Sequence, residues 1–189
     1  MNNTESVIKQ GGQAVAAVFS GFGGFVLNVQ PPEGVLKAFT IGFASTLSAL
    51  LFLVISIFSQ RYASERYRRI FVALSVALII VVAITGFRYQ DMFARLTLDL
   101  PSVNGTEKII IGTDLTSQAR EGLTRTGEPL SQLVLDFGGK DARERVWTRA
   151  SIRAATLTLN NGYILLSVSV AAAVFCIAEA LLPTKRSAH

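Results

Sequence analysis

Arg145, Arg149 and Arg153 recur at four-residue spacing, and Trp147 lies among them. On one helix that spacing makes a single basic stripe. Guanidinium groups beside an indole, close to an apolar span, suit a helix resting on anionic lipid headgroups. They equally suit a solvated face whose cations pair with Asp141 and Glu144. A nucleic-acid partner fits poorly. Residues 88–162 carry ten Lys/Arg against nine Asp/Glu, and a phosphate backbone calls for concentrated positive charge.

Catalytic chemistry is thinly supplied. The single histidine is His189, at the end of the chain, and the single cysteine is Cys176, inside an apolar block. Histidine general-base and cysteine nucleophile mechanisms therefore have little to draw on. No phosphate loop, zinc-ligand cluster, nucleophile elbow or HExxH motif is present. The expectation is a non-enzymatic protein with no metal and no cofactor. An intramolecular disulfide is impossible with one cysteine.

The elements that must position these residues are dominated by lipid-compatible blocks. Half of the residues are hydrophobic and only 16% are charged, against about 25% charged in soluble domains. A hydrocarbon core is crossed by about 20 mostly apolar residues. Three blocks qualify: 35–59, 70–87 and 163–182. The second holds no charge at all.

A further segment, 13–29, is apolar and rich in glycine. Gly12, Ala16, Ser20, Gly24 and Asn28 recur every four residues, opposite Val15, Phe19, Phe22 and Val26. Wound as a helix, it has a small face and a bulky one. Small faces let membrane helices approach closely. The segment reads as a membrane-embedded helix, of marginal length to span, ended by Pro31-Pro32. The same logic picks out Ala38, Gly42 and Thr46 in the second segment, and Ala172, Cys176 and Ala180 in the last. These faces suit packing against other subunits or a second copy of the chain.

Charge distribution suggests an orientation. Arg61, Arg66, Arg68 and Arg69 cluster in 60–69, and Lys185 with Arg186 lie in the tail 183–189. Short Lys/Arg-rich loops stay in the cytoplasm. Both would then be cytoplasmic, with 88–162 extracytoplasmic, and a bacterial inner membrane is the expected location. Glu179 falls at the cytoplasmic edge, within reach of Arg61 or Arg66. Lys37 falls at the outer edge, where Asp91 could neutralise it. Such terminal charges can snorkel.

The outer segment 88–162 reads as a small folded unit. Residues 95–100 and 107–112 flank Asn104-Gly105 and suggest a hairpin with a loop longer than the tightest type. Residues 113–123 read as a short helix. Residues 130–139 and 155–162 read as further strands, and 140–154 as the basic helix.

The fold class expected is a mainly α membrane protein. Its bundle has four transmembrane helices, or three if 13–29 does not cross, with a small α+β domain inserted before the last. Residues 1–12 form an N-terminal tail. In layout alone the chain resembles the tetraspanin family, but that family's cysteine signature in the large loop is missing. The functional expectation is an accessory or scaffold subunit of a membrane complex, acting through helix packing. A homo-oligomeric pore or membrane-disrupting effector, and a receptor sensing a ligand through 88–162, are the alternatives.

Overall fold

The computed structural model describes residues 36–61, 65–102 and 105–181. The expected helix 13–29, with Gly12, Ala16, Ser20, Gly24 and Asn28, lies outside them. Described residues form helices α1 (Leu36–Arg61) and α2 (Glu65–Leu96), then strands β1 (Thr97–Ser102) and β2 (Gly105–Ile110). Helices α3 (Ser117–Thr126), α4 (Leu130–Asp136) and α5 (Arg143–Val146) follow, with a 3-10 turn at Gly139–Ala142 before α5. The long helix α6 (Arg149–Leu181) closes the described chain. Three helices, α1, α2 and α6, are long and apolar enough to cross a membrane.

The chain divides into two compact units. Among the described residues, one holds Phe39–Gly86 and 164–181. Here α1 buries a stripe of Thr40, Ala44 and Ser48, four residues apart and so on one face. Phe52 continues that stripe and meets Phe175 of α6 at 4.9 Å between ring centroids. On α2, Gly86 lies on the side facing α6, where an added Cβ would sit 3.8 Å from Leu166 Cδ1. The hydroxyls of Ser48, Ser75 and Ser169 each donate to the carbonyl four residues earlier. That local bond satisfies a buried hydroxyl without a partner helix.

The other unit holds Phe87–Tyr163. Its core comprises Leu100, Ile109, Ala119, Leu133, Val134, Val146, Trp147 and Ile152. Burying each large apolar side chain contributes about 1.5–3 kcal/mol. The hairpin is antiparallel, with Leu98 opposite Ile109 and Ser102 opposite Gly105. Only two residues therefore join the strands, so the connection is shorter than the sequence suggested. Asp99 and Lys108 face each other across the hairpin and pair at 2.7 Å.

Two expected strands are helical. Residues 130–136 form α4, because Leu130, Leu133, Val134 and Phe137 all pack on the core, and that spacing is a helix face rather than an alternation. Residues 155–162 belong to α6. Ile152, Ala155, Leu159 and Tyr163 are buried at helical spacing. Thr156 and Thr158 donate back to Ile152 and Ala154 carbonyls, which satisfies the residues that favoured a strand. The arginine cluster also sits differently. Arg61 ends α1 and Arg66 and Arg69 lie in α2, so most of 60–69 is helix end rather than loop.

Candidate functional site

The expected basic helix 140–154 is broken in two. Trp147 adopts an extended backbone (φ −115°, ψ 152°) and bridges to Leu115. Its flanks are fixed by backbone bonds, Thr116 N–H to Val146 O and Thr148 N–H to Asp114 O, both 2.9 Å. Thr148 Oγ1 then accepts from Ser151 N–H and caps the start of α6. Arg145 therefore lies in α5, whereas Arg149 and Arg153 lie in α6.

All three arginines are exposed, but they do not form one stripe. Arg149 Nε reaches across the break to Glu144 Oε2 at 2.6 Å. Trp147 is only 2% exposed. It is a core residue of the unit, not an indole laid on the surface. The indole was legible as a large apolar side chain; the extended link that turns it inward was not.

What Trp147 helps to build is a cavity of about 480 Å³. Its apolar wall comes from Ile111, Leu115, Leu123, Leu130 and Trp147. Thr113 and Glu128 supply the polar side chains, and Glu128 is exposed. Local geometry holds these elements apart and together. Thr116 Oγ1 accepts from Ala119 N–H at the start of α3 and donates to Arg145 O at 2.6 Å. Helix α3 ends at Gly127, whose φ of +64° is the left-handed conformation that glycine adopts freely. That turn brings Glu128 and Leu130 to the cavity.

Gly112 packs against the first turn of α6 and the extended link before it. An added Cβ there would sit 2.1 Å from Ser151 Oγ and 2.9 Å from Trp147 Cβ. Sequence reasoning missed Gly112, Leu123, Glu128 and Leu130. The sequence Gly127-Glu128-Pro129 was an available stop signal after a helix, but nothing local shows that its flanks face Trp147.

The packing residues divide. Ala172 and Cys176 are buried at 8% and 1% exposure, and Ala180 is half-buried. They pack within the protein. Gly42 is exposed, and nothing lies within 4 Å of where its Cβ would be. The buried face of α1 is Thr40–Ala44–Ser48, two residues away from Gly42 and so about 200° round the helix.

Among the edge charges, Glu179 lies on α6, half-buried. Lys37, Arg61 and Arg66 lie on helices, and their side chains fall outside the described set. Asp91 accepts from Arg95 Nε at 3.0 Å, and its expected pairing with Lys37 lies outside the described side chains.

No protein-family model, curated protein or solved structure matches the chain. Function is therefore argued from the molecule's own surfaces.

Proposed function

We propose that this chain is an integral membrane protein without catalytic activity of its own, an accessory or scaffold subunit that works through helix packing. One observation carries the reading. Of the three apolar helices, α1 and α2 leave most of their apolar spans uncovered, with 17% and 6% of those spans buried. Soluble proteins rarely expose apolar surface on that scale. Lipid covers such faces, and neighbouring helices compete for them. Gly42 marks the place on α1 where another backbone can come closest. In this reading residues 60–69 and 183–189 are cytoplasmic and 88–162 lie outside, across a bacterial inner membrane.

Gly42→Leu is the test, followed on blue-native gels after mild detergent extraction. The wild-type chain is expected in an assembly larger than one copy, and the variant is expected to leave that assembly while remaining in the membrane. A wild-type chain that migrates alone, or an assembly indifferent to Gly42→Leu, overturns the reading.

A further inference from the structure

The cavity in the Phe87–Tyr163 unit has features that an accessory role does not require. Its volume of about 480 Å³ lies within the roughly 300–1,000 Å³ of small-ligand sites. Its wall is mostly apolar, and Trp147 is the one aromatic residue that lines it. The charge at the site is negative. The chain carries 18 Lys/Arg against 13 Asp/Glu, yet the only charged lining residue among those described is Glu128.

Some carboxylates of the unit are neutralised: Asp91, Asp99, Glu107 and Glu144 each pair with a Lys or Arg. Others, Asp114, Glu121, Glu128, Asp136 and Asp141, have no Lys or Arg partner among the described residues; of these Glu128 is the one that lines the cavity. The backbone leaves room beside it: nothing lies within 4 Å of a Cβ placed on Gly127. An apolar pocket with one unpaired carboxylate at its rim is complementary to a molecule with an apolar body and a positive end.

We propose that this cavity binds a small organic cation, an alkyl- or arylalkyl-ammonium. The apolar part enters among Ile111, Leu115, Leu123 and Leu130, and the ammonium group stays at the rim with Glu128. The proposal stands independently of the accessory role, because it concerns one unit and one ligand class.

The chain contains a single tryptophan, so intrinsic fluorescence reads the cavity wall directly. The full chain in detergent micelles is titrated with phenethylammonium, with the neutral 2-phenylethanol, and with the anionic 3-phenylpropionate. A saturable change is expected with the cation, at about fivefold lower concentration than with the alcohol, as an exposed ion pair allows. The anion is expected to bind most weakly. Glu128→Gln, a rim substitution that leaves the core intact, should erase the cation's advantage while the alcohol binds as before. Equal or non-saturating responses to all three probes overturn the proposal. So does an ammonium-to-alcohol ratio unchanged by Glu128→Gln.

Discussion

Helices α2 and α6 are nearly the same length, 32 and 33 residues. Both are strongly apolar, with mean hydropathies of 2.9 and 2.1 over their spans. Yet 6% of the apolar span of α2 is buried, against 56% for α6. Side-chain size accounts for the difference better than polarity. α2 presents Ile79, Ile80, Val81 and Ile84 outward. α6 buries Ser169, Ala171, Ala172, Ala173 and Cys176. At about 100° per residue, these positions together with Leu166, Val170 and Phe175, also buried, fall all round the helix. Small side chains let neighbouring helices come close where lipid would otherwise compete on equal terms. Hydropathy marks a helix as fit for a membrane; the run of small residues marks the one that others pack around.

Substitutions can break that contrast, and the largest effect is expected at Leu166 on α6, which is 4% exposed. Leu166→Ala should cost about 2–5 kcal/mol, as truncations in packed interiors do, measured by reversible unfolding in mixed micelles. An effect below that range would mean that α6 is loosely packed. Next is Ile80→Lys on the outer face of α2, at a residue 55% exposed. If that face meets lipid, the change should weaken membrane insertion by about 3 kcal/mol, read by protease protection. Unchanged insertion would show that the face is wet, and the contrast would then concern two different solvents.

A matched pair sharpens the comparison further. Ala172→Leu adds bulk to a buried position of α6 and should destabilise by about 1–3 kcal/mol. Ala77→Leu adds the same bulk to an exposed position of α2 and should stay within about 0.5 kcal/mol. Equal costs at the two positions would remove the distinction between the helices.

The apolar helices were legible in the sequence because lipid-scale runs are long and unambiguous. The hairpin was legible through its alternation and its Asn-Gly signal. The runs at 130–139 and 155–162 misled for a common reason. In each, a short local pattern, the apolar run Leu133-Val134-Leu135 or the alternation Thr156-Leu157-Thr158, masked a helical set spread over a wider window. Leu130, Leu133, Val134 and Phe137 formed one such set, and Ile152, Ala155, Leu159 and Tyr163 the other.

On α1 the face buried within the protein, Thr40–Ala44–Ser48, was not the small-residue face picked out from the sequence. Ala38–Gly42–Thr46 and Thr40–Ala44–Ser48 are both small at four-residue spacing, and only packing tells them apart. The cavity was not legible at all. Its wall joins Ile111, Leu123, Leu130 and Trp147, which are distant in sequence and meet only because Thr116, Gly127 and Thr148 turn the chain.

Cys176 lies at 1% exposure on the most enclosed helix and is the only thiol in the chain. In the folded protein a maleimide can reach it only when α6 opens. Its labelling rate is therefore a clock for that opening, running without any engineered reporter. The same shielding makes the native sequence a quiet background, in which a cysteine placed on an exposed position should react long before Cys176 does.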